Sequence, residues 1–68
     1  MKLTIEIDRE DDGRWIAELP EMPGTVAYGA TREEAIANVE ALALRVLAER
    51  LENGEAVPRI PKVFTIAP

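Results

Sequence analysis

Hydrophobic and polar residues alternate without a break at the start of the chain. Over residues 2–8, Leu3, Ile5 and Ile7 fall on one face and the polar residues between them fall on the other. A period of two is typical of a strand that is buried on one side only. The pattern therefore predicts a first β-strand at residues 2–8.

A second strand is predicted at residues 14–19, after an Asp12-Gly13 pair that favours a tight hairpin turn. Ile16 is out of phase with the predicted core-facing residues of this strand, so it lies on the outer face. There it could form an apolar patch for a second subunit, together with a residue of the third strand. The side chains expected to face the core are Trp15, Ala17 and Leu19.

A bend and a third strand lead directly into a helix. Two prolines and a glycine at residues 20–24 predict the bend, and residues 25–28 form a short extended run. Thr31 and Glu34 have the spacing of a capping box, which marks the start of a helix. A strand is therefore expected to turn directly into a helix at this point.

The helix is predicted at residues 32–53, with Gly54 after it as the C-cap glycine. Its apolar residues follow the spacing of a buried helical face; they are Ala35, Ile36, Val39, Leu42, Ala43, Val46 and Leu47. Leu44 and Leu51 lie to one side of this face and widen the apolar arc beyond what one small sheet covers. Either the last strand or the tail covers these two leucines, or they form a dimer interface, and the pattern favours neither.

Two prolines exclude regular structure from residues 55–61, and residues 62–68 have room for a final short strand. A strand–helix–strand crossover is right-handed, so this strand should run parallel to the third if it joins the same sheet. Alternatively it pairs with a neighbouring chain. The elements together predict a single α+β domain over residues 1–68, with an antiparallel three-stranded meander, a crossover helix and a short last strand.

Composition limits the possible functions. With 68 residues, the chain has a small core, and it has neither cysteine for disulfides nor histidine for the usual zinc sites. We therefore expect a homodimer or a higher homo-oligomer, without cofactor or metal. The net charge of −5 argues against direct binding of nucleic acid, and no apolar run is long enough to span a membrane. We expect a cytoplasmic protein.

Acidic residues near the first strand invite a two-metal nuclease interpretation; they are Glu6, Asp8, Glu10, Asp11 and Asp12. Alternation places the first two on the solvent side of the strand and the others at a hairpin tip, so they are not expected to converge. Serine, cysteine and histidine are all absent from the sequence, which removes the common nucleophiles and bases. We expect no catalytic residues and no enzymatic activity.

Three motifs resemble the N-terminal domain of the HicB-like antitoxins, and the similarity covers about residues 3–58. In order, they are Asp12-Gly13-x-Trp15, Pro20-x-Met22-Pro23-Gly24 and Gly29-x-Thr31-x-x-Glu34-Ala35. The resemblance implies a β-β-β-α-β fold like a truncated ribonuclease H, with sheet order 3-2-1-4. It also implies a role as the neutralising partner of a small basic RNA-cleaving toxin, HicA-like in type. Full HicB antitoxins usually carry a DNA-binding domain after the last strand, and none is expected within residues 1–68.

The hypothesis from sequence is a binding protein that masks such a toxin by shape and charge. Its expected partner-binding residues are Glu10, Asp11, Asp12, Trp15 and Tyr28. Its expected oligomer interface contains Ile16, Leu44 and Leu51. For Trp15, a place in the core is the favoured alternative. The alternative function is a freestanding oligomeric module of the same fold that has no toxin partner.

Overall fold

The chain forms three strands, one long helix and a last short strand. The computed structural model describes residues 3–55 and 64–67. The elements are β1 (Leu3–Arg9), β2 (Trp15–Glu18), β3 (Val26–Gly29), α1 (Arg32–Glu52) and β4 (Phe64–Ile66). The predicted α+β class and the β-β-β-α-β order are confirmed.

The four strands form one mixed sheet in the order β3-β2-β1-β4. β1 pairs antiparallel with β2, and β2 pairs antiparallel with β3, whereas β4 runs parallel to β1. The sheet order and the direction of the last strand are as predicted, and β4 pairs within its own chain. The predicted irregular connector lies outside the described residues from position 56 onward, as do residues 62, 63 and 68 of the predicted last segment.

The core lies between the sheet and α1, where the alternation of the strands meets the apolar face of the helix. Its buried side chains are Leu3, Ile5, Ala17, Leu19, Met22, Ala35, Val39, Ala43 and Leu47. We call this side of the sheet the inner face and the opposite side the outer face. Trp15 is half-buried and packs against the inner-face cluster together with Ile7 and Ala27.

The turn from β3 into α1 depends on a threonine cap and on a very small residue. The backbone N–H of Glu34 donates to Thr31 Oγ1 at 3.1 Å, as the predicted cap requires. Gly29 comes so close to the first turn that a Cβ on it would lie 2.8 Å from the carbonyl carbon of Glu34. Its φ is not among the positive ones. The glycine is therefore needed for close backbone approach and not for a positive φ.

Helix α1 ends at Glu52, and Asn53 is its C-cap. Gly54 follows with φ of 79°, which agrees with the predicted C-cap glycine. Leu44 remains 41% exposed and Leu51 remains 63% exposed. Neither leucine is covered by β4, although β4 is paired in the same sheet.

Candidate functional site

The hairpin between β1 and β2 presents its acidic residues on a tightly bonded loop. The backbone N–H of Glu10 donates to the carbonyl oxygen of Arg14 at 2.7 Å, and the N–H of Gly13 donates to that of Glu10 at 2.9 Å. Gly13 has φ of 91°, a left-handed conformation that residues other than glycine adopt only at a cost. The loop therefore holds Asp11 and Asp12 exposed at a fixed position beyond the sheet.

Asp12 is tied to the residue that leads into β2. Its carboxylate accepts from the backbone N–H of Arg14 at 3.0 Å and from the guanidinium Nε at 2.8 Å. These bonds, first of all the one from the backbone N–H, lower the pKa of Asp12 below its ordinary value of 3.8. Asp12 therefore remains ionised in weakly acidic solution, and part of its hydrogen-bonding capacity is used within the loop.

Arg14 links the hairpin to Tyr28 on β3. The Cζ atom of its guanidinium lies 4.6 Å from the centroid of the Tyr28 ring, a cation–π contact. Asp12 Oδ2 accepts from Nε of the same guanidinium, so the three side chains form a chain of contacts. Tyr28 is 42% exposed and so presents apolar ring area to solvent. The ring is oriented by Arg14, which reduces the entropy lost when a partner packs against it.

The outer face of the sheet continues this surface and is mostly acidic. Asp8 pairs with Ile16, and Ile16 pairs with Tyr28, so these three residues form one row across the sheet. In the next row Glu6 pairs with Glu18. A shallow open depression is lined in part by Ile16, by the three carboxylates of the two rows and by Arg32 from the start of α1. We call the surface formed by the hairpin tip and these rows the acidic face; its members are Glu6, Asp8, Asp11, Asp12, Arg14, Ile16, Glu18 and Tyr28.

The predicted partner-binding residues do not all lie on this surface. Asp11, Asp12 and Tyr28 belong to the acidic face, and Glu10 is a half-buried residue at the start of the same loop. Trp15 pairs with Gly29 and lies on the inner face, where the guanidinium of Arg9 is 5.7 Å from its ring centroid. The structure therefore separates Trp15 from Tyr28 by the thickness of the sheet.

The three predicted interface residues are also divided between two surfaces. Ile16 lies on the acidic face beside Tyr28, whereas Leu44 and Leu51 are on α1, which covers the inner face. No single flat contact with another chain includes all three. Ile16 is thus placed with the partner-binding residues, and the two leucines form a separate exposed apolar surface.

Four members of the acidic face were not predicted from the sequence as binding residues: Glu6, Asp8, Arg14 and Glu18. Glu6 and Asp8 were placed on the solvent side, and Glu18 shares that side by alternation. Which of these residues lie side by side across the sheet depends on the register between β1 and β2. The sequence signal for Arg14 is its position two residues after an aspartate in a hairpin turn. An Asp side chain at that spacing readily accepts from the backbone N–H two residues on.

Over residues 3–55 and 64–67, no group of three or more acidic, histidine or cysteine side chains is arranged to hold a metal ion. Helix α1, the helix within those ranges, lacks the apolar length that crossing a bilayer requires.

Comparison with known proteins gives one informative relative. The chain is 35% identical over 60 residues to a protein of Thermoplasma acidophilum named UPF0150 protein Ta0767. The aligned region covers 87% of this chain and 86% of the relative. No family model matches the sequence, and no solved structure matches it. The similarity extends over nearly the whole length of both proteins.

Proposed function

Because the chain belongs to the UPF0150 family, the HicB-like family associated with toxin–antitoxin modules, we propose that it neutralises a small basic RNA-cleaving protein by covering it. In this proposal the chain has no catalytic role. The partner is a protein that presents lysine and arginine side chains around the place where it binds RNA. The observation that carries the proposal is the acidic face, a continuous surface of carboxylates with an oriented aromatic ring.

Charge complementarity supports this kind of partner. Five carboxylates lie on the acidic face, against two guanidiniums: that of Arg14, which already contacts Asp12, and that of Arg32, which lines the depression. A protein that grips the phosphate backbone of RNA needs clustered positive charges. Opposite potentials on two such surfaces steer the encounter and raise the association rate by about 10- to 1000-fold at low ionic strength. The same contact would exclude RNA from the partner.

The apolar side chains of the acidic face are proposed to supply the contact area that charge alone does not. Ile16 and Tyr28 are neighbours across β2 and β3; Asp8 lies beside Ile16 in the same row, and the guanidinium of Arg14 lies against the Tyr28 ring. Binding energy at protein interfaces is concentrated in aromatic and other large side chains that become fully desolvated, with polar groups at the rim. Tyr28 and Ile16 are therefore proposed as the anchor, and the acidic residues as the rim.

The two aspartates of the hairpin have different roles in this proposal. Asp12 accepts two hydrogen bonds from Arg14 and maintains the loop and the position of the guanidinium. Asp11 is exposed at the tip. A reversal at Asp11 therefore tests charge recognition, whereas a reversal at Asp12 also perturbs the loop and the support of Tyr28.

The test is co-expression with any small basic protein encoded next to this chain, scored by rescue of growth and by recovery of the complex. We expect Asp11→Lys to slow association, and added salt to slow association of the wild type more than its dissociation. Tyr28→Ala is expected to accelerate dissociation. Glu49→Lys is the matched control, because it makes the same charge change at an exposed position on α1, away from the acidic face.

The outcomes separate the two candidate functions. Equal loss of binding in Asp11→Lys and Glu49→Lys would show that only net charge matters and would contradict the assignment of the acidic face. Absence of a complex between the wild type and the adjacent basic protein would favour the freestanding oligomeric module. RNA cleavage by the isolated chain, lost on variation of the acidic face, would overturn the non-enzymatic interpretation.

A further inference from the structure

Helix α1 carries a second apolar stripe besides the one that packs on the sheet. Its members are all exposed, and they are Ala37, Ala41, Leu44, Ala48 and Leu51. At 100° per residue, the centre of this stripe lies about 140° round the helix from the centre of the four buried positions. It therefore points away from the sheet and from the core. We call it the helix seam.

The spacing of the helix seam is that of a coiled coil. Its five positions are separated by four, three, four and three residues, which is the alternation of a and d positions in a heptad. Leu44 and Leu51 occupy d positions, and Ala41 and Ala48 occupy a positions. An ordinary solvent-facing helix surface has polar residues at these places. Alanine at the a positions permits a second helix to approach closely.

The charges beside the helix seam are complementary to themselves. In this register Glu40 is at a g position and Arg45 is at the following e position. In a parallel in-register pair of helices, each g residue faces the e residue five positions later on the other chain, and such pairs set the orientation. Two identical chains would therefore form two ion pairs between Glu40 of one chain and Arg45 of the other.

We propose that the helix seam binds the helix seam of a second copy of the chain, in a parallel in-register pair. Leu44 meets the same residue of the second copy, as does Leu51, and the alanines between them allow close contact. The Glu40–Arg45 pairs flank this contact on both sides of the two-fold axis. The proposal does not depend on the proposed function, because it involves the side of α1 away from the sheet.

Cysteine cross-linking tests the orientation without interference, because the chain has no cysteine of its own. In a parallel in-register pair every seam residue meets its own copy, so Ala41→Cys and Ala48→Cys should both form disulfide-linked dimers on mild oxidation. An antiparallel pair brings at most one of these positions onto its own copy. Glu49→Cys is the control, because residue 49 is equally exposed but lies outside the helix seam.

Charge reversal tests the same contact by sedimentation velocity over a range of concentrations. We expect Arg45→Glu to raise the dimer dissociation constant about tenfold, since it converts two attractive pairs into two repulsive ones. Adding Glu40→Arg should restore association. Adding Glu52→Arg instead gives the same net charge and should not restore it. Leu44→Glu should give a monomer whose circular dichroism still shows the helix.

The results that overturn the proposal are equally specific. Cross-linking at only one of positions 41 and 48 would refute the parallel orientation, as would restoration by Glu52→Arg and not by Glu40→Arg. Cross-linking at neither position would refute the interface itself. A wild-type chain that sediments as a monomer at every concentration, or a Leu44→Glu variant that still dimerises, would do the same.

Discussion

Replacing Gly29 tests the most constrained contact in the fold, the place where β3 meets the start of α1. A Cβ at this position would lie 2.8 Å from the carbonyl carbon of Glu34 and 2.9 Å from its Cβ. The closest atoms belong to the helix backbone, which cannot rotate away as the end of a flexible side chain can. Gly29→Ala therefore forces β3 and α1 apart.

The expected loss is large for a protein of this size. Overpacking of a well-packed site costs about 1–3 kcal/mol, and the lower entropy of the unfolded alanine chain offsets about 0.4–1 kcal/mol of this. Subtracting the middle of the second range from the middle of the first gives a net loss of about 1.3 kcal/mol. Typical stabilities per residue give a 68-residue chain a free energy of unfolding of about 3–10 kcal/mol. Gly29→Val should cost more than Gly29→Ala.

Urea denaturation distinguishes this steric cause from a backbone requirement. Gly24 is the matched control, because it has φ of 89° and a Cβ on it would meet nothing within 4 Å. Asparagine tolerates the left-handed region better than alanine does. Gly24→Asn should therefore be more stable than Gly24→Ala, whereas Gly29→Asn should be no more stable than Gly29→Ala. A neutral Gly29→Ala variant, or recovery with asparagine, would refute the close-approach argument.

Two further predictions concern hydrogen bonds that hold the ends of elements. Thr31→Ala removes the acceptor for the N–H of Glu34 and should lower the free energy of unfolding by about 1 kcal/mol, measured from the denaturant midpoint. Thr31→Ser keeps a hydroxyl acceptor and should retain most of this stability. Equal losses in the two variants would contradict the cap. The pKa of Glu21 is lowered from 4.5, first by its own backbone N–H and then by that of Thr4, and the pKa of Asp12 is lowered from 3.8. Both carboxylates stabilise the fold at a pH above their ordinary pKa values, and this contribution is lost as the pH falls through the lowered pKa values of the folded state. When the free energy of unfolding is measured at decreasing pH, Glu21→Gln should therefore lose less stability than the wild type.

Local patterns were sufficient to predict the elements of the fold. The period of two placed β1 and β2, and the helical spacing with Thr31 and Gly54 at its ends placed α1 within one residue. Each of these signals depends on neighbours in sequence. The order of the sheet followed from the resemblance, and the direction of the last strand followed from the handedness of the crossover.

Contacts between elements were not predictable in the same way. Gly29 looks like one more turn glycine in the sequence, and only the packing of β3 against α1 shows that it is needed for space. Likewise, Trp15 and Tyr28 are both aromatic residues on short strands. The register Trp15 to Gly29 and Ile16 to Tyr28 places them on opposite faces of the sheet. A one-residue change of register between β2 and β3 would have placed both rings on the same face, and no feature of the sequence fixes that register alone.

The two proposed contacts are compatible because they lie on different sides of the molecule. The acidic face is on the outer side of the sheet, and α1 packs on the inner side with the helix seam turned away from the sheet. Two chains joined along their helix seams would therefore leave both acidic faces exposed, directed away from the two-fold axis. Such a dimer would hold two basic partners at once, and neither partner would need to displace the dimer contact. Loss of dimerisation in Leu44→Glu should then leave the affinity of a single acidic face for its partner unchanged, since that variant alters no residue of the face.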